Sequence, residues 1–287
     1  MSRMLKKARE RGLVEIRVRS PLETAPYLQE ELRARMGLRE CLVLAADAPE
    51  PADRAGRMAA LTARYLQDRV IDGSTLGVGW SRTIYRSVSS GYLRRKHGAN
   101  VVQLMGSVSG SIPELNGISI TARLAGALGA TAYYLHAPML VTDPGVRDGL
   151  LRDPNIRRTL EMARRADMMV VGIGAIDRDH GQYLTGYLDD ADLEYIRGNG
   201  VVGDVCGVYF TLGGDVRHLE MNDRTVALDA ESVRRIPVRV GVSWGPSKAV
   251  PNVGAARAGL VNVLITDEET AEEMLRVLER EGETERV

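Results

Sequence analysis

"STLGVGWSRT", residues 74–83, sets how the rest of the chain is read. It starts as a short apolar strand, passes Gly77 and Gly79, and ends on Ser81, Arg82 and Thr83, which open a helix rather than prolong the strand. Working outward, the same alternation recurs. "CLVLAA" (41–46), "NVVQLMG" (100–106), "TAYYLHA" (131–137), "DMMVVGIG" (167–174), "VRVGVSW" (238–244) and "VNVLIT" (261–266) read as strands. Helices are predicted over 52–69, from Arg82 to about Arg95, around 119–128, near 146–166 and in the last stretch before "REGETERV". Apolar strands alternating with amphipathic helices require crossover connections, which predicts an α/β fold with a mainly parallel, Rossmann-like sheet covered by helices on both faces. Residues 201–228 break the rhythm and read as a hairpin insertion turning at Gly213 and Gly214.

A chain of 287 residues has room for one large α/β domain and a small appendage. No apolar run approaches the eighteen or so residues of a membrane span, and the basic start lacks the apolar segment of a secretory signal. Cys41 and Cys206 are too few for a disulfide framework and lack a metal-binding spacing. A reducing cytoplasm is therefore expected, and nothing calls for a cofactor or a metal. Basic and acidic residues balance at 38 each, so the whole molecule presents no field for nucleic acid. The beginning differs. In residues 1–19 seven bases (Arg3, Lys6, Lys7, Arg9, Arg11, Arg17, Arg19) face two acids (Glu10, Glu15). "MSRMLKKARERGLVEIRV" reads as a basic helix and strand, either a solvated chain end or a DNA-reading element.

In an open parallel sheet the ligand sits beyond the carboxyl ends of the strands, so the strand-to-helix turns are the candidate site. "GVGWSRT" (77–83) places hydroxyls and a guanidinium where helix N–H groups favour an anion. It is neither G-x-G-x-x-G nor a Walker loop, so a dinucleotide or nucleoside triphosphate is not supported. Gly106 and Ser107 form a weaker version, and in "GPSK" Ser247 is placed to cap a helix beside Lys248, a residue type otherwise confined to Lys6, Lys7 and Lys96. Three such turns at one sheet edge point to a phosphorylated or otherwise anionic small polyol. Asn116, Asp204, Asn222 and Arg224 are available for its hydroxyls.

The opening stretch, together with "GVGWSRT", "VVQLMG", "LHAPMLV", "LLRDPNIRRTLEMARRADMMVVGIG", "GNGVVGDVCGVYF", "NDRTVAL" and "VNVLITDEETAEEML", resembles the SorC family of bacterial transcriptional regulators over essentially the whole chain. The resemblance implies a DNA-binding helix-turn-helix followed by an effector domain similar to the sugar-phosphate isomerase and deaminase fold, which binds a sugar, polyol or phosphosugar and assembles as a homo-oligomer, dimer or tetramer. It divides the chain into a remnant of the winged helix-turn-helix (1–20), a linker (21–39) and the effector-binding domain (40–287). Ser2, Arg3 and Lys6 then stand nearest operator DNA. Two family helices that precede this run are not in the sequence, and Met1 stands where the family commonly has Val. Either a GTG codon taken as the start or a truncation accounts for that.

Carried over by residue, the resemblance implies an effector whose phosphate or terminal hydroxyl meets Gly79, Ser81, Arg82 and Thr83, with its other end near Gly106, Ser107, Asp204 and Lys248. Ser81 stands where the family often has Gly, and Ser107 follows Gly106 where it often has a second Gly, so an unphosphorylated polyol also stays open. The competing reading is a phosphosugar isomerase or deaminase, prompted by "GIGAIDRDHGQ" (172–182). The order Asp179, His180, Gly181 departs from the Asp-Gly-His of the deaminases, and Asp177, Asp179 and His180 read equally as a solvated loop. A regulator, not an enzyme, is the expectation.

Overall fold

A computed structural model of the chain describes residues 22–46, 51–108, 112, 114 and 116–284. The strands are β1 (Glu40–Leu44), β2 (Thr75–Val78), β3 (Asn100–Gln103), β4 (Thr131–Tyr133), β5 (Met168–Gly172), β6 (Gly174–Ala175), β7 (Val201–Val205), β8 (Val208–Thr211), β9 (Val216–Arg217), β10 (Val238–Val242) and β11 (Val263–Asp267). The helices are α1 (Pro26–Met36), α2 (Pro51–Arg69), α3 (Arg82–Ser87), α4 (Gly117–Leu128), α5 (Pro144–Arg152), α6 (Pro154–Arg164), α7 (Gly181–Leu184), α8 (Asp190–Gly198), α9 (Ala230–Arg235), α10 (Ala249–Arg257) and α11 (Glu268–Thr284).

Seven strands form one sheet in the order β1-β11-β10-β5-β2-β3-β4, every neighbouring pair parallel. Side chains alternate across it, so each strand feeds two cores. Leu76, Val78, Val170, Val240 and Ile265 meet Leu61 and Leu66 of α2, Ile84 of α3 and Leu124 of α4 on one face. Val43, Val102, Met169, Val171 and Leu264 meet α6, α10 and α11 on the other, through Ile156, Leu160, Val253 and Met274. Within the 21–39 linker a helix spans Pro26–Met36, and its Leu28 and Leu32 are buried in that second core. The helical stretch near 146–166 is two helices. Asp153 ends α5 and caps α6, its Oδ1 accepting from the N–H groups of Asn155 and Ile156, and Pro154 takes the first helical position, where no N–H is needed.

The expected hairpin insertion is larger than one hairpin. β6, β7, β8 and β9 form a separate antiparallel sheet over Ile176, Leu188, Leu193, Ile196 and Tyr209. Gly213 and Gly214 lie between β8 and β9, whereas β7 turns into β8 at Cys206 and Gly207, with φ of 53° and 78°. Two positive φ values in a two-residue hairpin match the strand twist, but Asn or Gly is the usual first residue, so a cysteine there gives no turn signal in sequence. The Ser2, Arg3 and Lys6 expectation, and the segment 1–20, lie outside the described residues.

Candidate functional site

From β2 the chain steps one way along the sheet, to β3 and β4; from β5 it steps the other way, to β10 and β11. The crevice at that reversal is where ligands enter open α/β sheets. A cavity of about 390 Å³ opens there, within the usual range for small-molecule sites. Its wall comes from the turn after β2 (Trp80, Ser81, Arg82, Thr83), from α3 (Arg86), from β5 and the segment after it (Gly172 to Gly174, Asp177, His180, Gln182), from Asp204 and Cys206 at the β7 turn, and from Ser243, Trp244 and Lys248 after β10.

Five of the eight expected effector residues line it: Ser81, Arg82, Thr83, Asp204 and Lys248. Ser81 caps α3, its Oγ accepting from the Ile84 N–H. Thr83 is buried, and its hydroxyl accepts from Trp244 Nε1 at 2.9 Å. Arg82 and Arg86 are exposed, and neither has an ion pair among the described residues. Since α3 has only six residues, the positive character of the turn rests on these side chains and on Lys248 rather than on a helix dipole. Burial lowers the Lys248 ammonium below its ordinary value and Arg82 adds to this, against the upward pull of Asp177, Asp204 and Asp179.

Three expected residues lie behind the wall. Gly79 packs edge-on to it, where a Cβ would come within 3.1 Å of Cys206 Sγ and of Val171 Cγ1. Gly106 passes the backbone of Pro138 so closely that a Cβ would stand 2.5 Å from its carbonyl oxygen. Ser107 Oγ accepts from Gln103 Nε2 at 2.8 Å. The reason is that the chain beyond β3 continues as paired backbone, with Met105 opposite Ala227 and Ser107 opposite Pro138. Among the other candidates, Asn116 caps α4 and Asn222 bridges Leu219 N–H and Gly207 O, so both are structural; Arg224 is not on the wall. Ser247 caps nothing. A 3-10 turn, Pro246–Lys248, precedes α10, and Lys248 takes the cap position without a side-chain bond.

His180 is not in a solvated loop. It is 3% exposed, and its Nε2 lies 2.8 Å from Asp204 Oδ1. The other Asp204 oxygen accepts from the Gly207 N–H at 2.8 Å. Burial alone would raise the Asp204 carboxyl, but His180, the Gly207 N–H and Lys248 outweigh it and hold the group below the usual carboxylate range. Gly174, the second glycine of "GIG", leaves room for the pair: a Cβ there would sit 2.0 Å from Asp204 Oδ1 and 2.9 Å from His180 Nε2. The Cys206 thiol is pushed up by burial first and by Asp204 second, so it stays protonated and is no nucleophile.

Sequence reasoning also missed Trp80, Trp244, Gln182, Arg86 and Ser243. A signal for the tryptophans was present: "GVGW" (77–80) and "GVSW" (241–244) end β2 and β10 alike. Each indole N–H braces a neighbouring loop, Trp80 to Gly106 O at 3.3 Å and Trp244 to Thr83.

Comparison with known proteins agrees with the fold. The family model described as "Putative sugar-binding domain" matches residues 20–276. The chain is 30% identical over 281 residues to the transcriptional regulator LsrR of Enterobacter sp. (strain 638), covering 96% of this chain and 83% of that protein. It is 28% identical over 278 residues to the deoxyribonucleoside regulator of Bacillus subtilis (strain 168), covering 97% and 88%. The full-length sorbitol operon regulator SorC of Klebsiella pneumoniae shares the fold, with a TM-score of 0.81 at 24% identity over 95% of this chain and 88% of that one.

Proposed function

Because the chain belongs to the SorC-type sugar-binding family of bacterial transcriptional regulators, we propose that the cavity at the β2/β5 reversal binds a sugar, polyol or phosphosugar effector. The observation that carries this reading is the set of three cationic side chains lining the cavity, Arg82, Arg86 and Lys248, with no ion pair among the described residues. An anionic group placed there supplies the missing partner, and a guanidinium offers a phosphate or carboxylate two parallel bonds. Ser81, Thr83 and Asp204 offer hydroxyl contacts, while Gly79, Gly106 and Ser107 shape the wall from behind. In this reading the cavity binds its ligand and does not turn it over.

The effector acts by binding one arrangement of a homo-oligomer, a dimer or tetramer, more tightly than another, and so shifts operator occupancy. Operator contact is assigned to Ser2, Arg3 and Lys6 in the 1–20 segment, 21–39 leads into the effector domain 40–287, and the cytoplasm is where such a regulator works. The test is a thermal-shift screen of sugars, polyols and their phosphates with the wild type and Arg82→Ala. A ligand at a hundred times its Kd is expected to stabilise by about 2.7 kcal/mol. The substitution is expected to remove the response to any anionic hit without moving the unliganded melting temperature. A hit that Arg82→Ala binds unchanged would contradict the assignment.

A further inference from the structure

Charge is divided unevenly over a chain whose formal total is zero. Between Asp72 and Asp143 the sequence holds six bases (Arg82, Arg86, Arg94, Arg95, Lys96, Arg123) and one acid, Glu114. Residues 182–195 hold Asp189, Asp190, Asp192 and Glu194 and no base. The fold gathers part of each stretch into a face. Arg82, Tyr85, Arg86 and Ser89 follow one side of α3 and of the 3-10 turn Val88–Ser90. Arg123 of α4 lies over the Tyr85 ring, 4.5 Å from its centre, and donates to Ser89 Oγ at 3.2 Å. Arg82, Arg86 and Arg123 are exposed, with no ion pair among the described residues. Beside them α4 exposes Ile118, Ala122 and Gly126 on successive turns, Ile118 by 39%. The acidic face belongs to α7 and α8, which the Tyr183 hydroxyl ties together by donating to Asp190 Oδ1 at 3.2 Å. Asp189 and Asp192 cap α8 and Arg178 pairs with Asp190 at 3.0 Å, while exposed Glu194 has no ion pair among the described residues. This face too is partly apolar, with Leu184 and Tyr195 exposed by 38% and 45%.

We propose that these two faces dock on each other between two copies of this chain, the basic face of each copy meeting the acidic face of the other, twice over in one two-fold dimer. This rests on the homo-oligomer reading above and adds to it the surface that associates. Charge selects the occupant. A basic face without acids repels its own copy, an acidic face does the same, and each complements the other. Exposed ion pairs contribute little affinity, so the charges fix the orientation while Ile118, Leu184 and Tyr195 supply apolar contact between them. A nucleic acid would suit the basic face but leaves the acidic face and these three side chains without a role. Position gives the docking its consequence. Arg82 and Arg86 line the effector cavity, and so do Asp179, His180 and Gln182, which lead into α7 and α8. Assembly and cavity occupancy therefore draw on the same two elements, so a ligand that binds one arrangement of the dimer more tightly shifts the other.

The experiment is sedimentation equilibrium of the full chain, with urea unfolding as the check on folding. Wild type, Arg123→Glu, Glu194→Arg, the double variant and an equimolar mixture of the two single variants are compared, and neither position lines the cavity. Each single variant sets like charges against each other at both contacts of its own dimer. The dissociation constant of that dimer is expected to rise about tenfold or more. In the mixture and in the double variant, opposite charges face each other again at both contacts, so association is expected to return to near the wild-type strength. Neither misfolding nor an unrelated interface produces recovery on mixing two weakened variants. If Arg123→Glu fails to fold, Ala122→Glu, on the same exposed side of α4, takes its place. A monomeric wild type, single variants that associate as well as the wild type, or no recovery on mixing overturns the docking and leaves the effector reading in place. Loss of binding to a random-sequence DNA duplex in Arg123→Glu, with association unchanged, also overturns it and gives the basic face to nucleic acid. A thermal-shift screen without a hit would instead fail the effector reading and leave the docking standing.

Discussion

The two ends of the central sheet use the same residue types in opposite ways. At the amino ends of the strands, basic side chains are tied to main-chain carbonyls. Arg239 donates to the carbonyl oxygens of Gly259, Arg234 and Ile236 at 3.0, 3.1 and 2.6 Å, Arg234 to Ala258 O at 2.8 Å, and Lys96 to Gln67 O at 2.9 Å. Helices packed on a parallel sheet end at this edge, and their last carbonyls lack partners within the helix. At the carboxyl ends, Arg82, Arg86 and Lys248 have no such bond among the described residues, and the polar atoms of His180, Gln182 and Ser243 are left over as well. Here Arg239 and Arg234 close the fold, while Arg82 and Arg86 beside the crevice are left for something else.

Substitutions at the two edges should therefore separate stability from binding. The largest loss of stability is expected from Arg239→Ala. It removes three charge-assisted bonds from a half-buried guanidinium, about 2–3 kcal/mol in urea unfolding, with ligand affinity unchanged. A matching loss of affinity would dissolve the contrast between the edges. Gly174→Ala comes next, at about 1–3 kcal/mol, because its methyl group drives into the Asp204–His180 pair. Unlike Arg239→Ala, it is expected to weaken sugar-phosphate binding too, and calorimetry of the same sample reads both effects.

Titration sharpens the contrast further. The folded Asp204 carboxyl lies below its unfolded value, so its contribution to stability is complete above about pH 3.9 and is lost as pH falls through the folded value. Asp204→Asn should flatten that acid limb of the stability curve. Lys248 has the opposite sign. Its folded value is depressed, so the ammonium opposes folding at neutral pH, and this cost fades as pH rises toward about 10.4. An anion bound beside it favours the ammonium. Binding in alkaline buffer should therefore take up protons, visible as a heat that depends on the buffer's ionisation enthalpy and is absent in Lys248→Met. The smallest effect on stability is expected from Arg82→Ala, within about 0.5 kcal/mol, since the side chain is exposed and holds nothing.

Much of the fold is legible in the sequence because parallel strands buried on both faces are written as continuous apolar runs, as in "MMVVG" of β5 and "VLIT" of β11. The split between α5 and α6 also had a sign, Asp153-Pro154, which a period of apolar residues overrides on a first reading. For the site, Arg82 and Lys248 follow from their place after a strand. His180 does not. Its partner Asp204 arrives from another strand, 24 residues on, through a hairpin whose cysteine conceals the turn. Gly106 and Ser107 mislead for the converse reason: they look like a second anion turn, but backbone pairing with the segments around Pro138 and Ala227 absorbs them.

The crevice at the β2/β5 reversal carries its own reporter of effector binding. The chain has two tryptophans, and both Trp80 and Trp244 line the cavity. The most direct measurement is a fluorescence titration with whichever anionic ligand raises the melting temperature. A saturable change with the same Kd as the thermal response, lost in Arg82→Ala at unchanged stability, is the expected result. A ligand that stabilises the protein while leaving both indoles silent, or that Arg82→Ala binds as tightly as the wild type, would place the effector elsewhere.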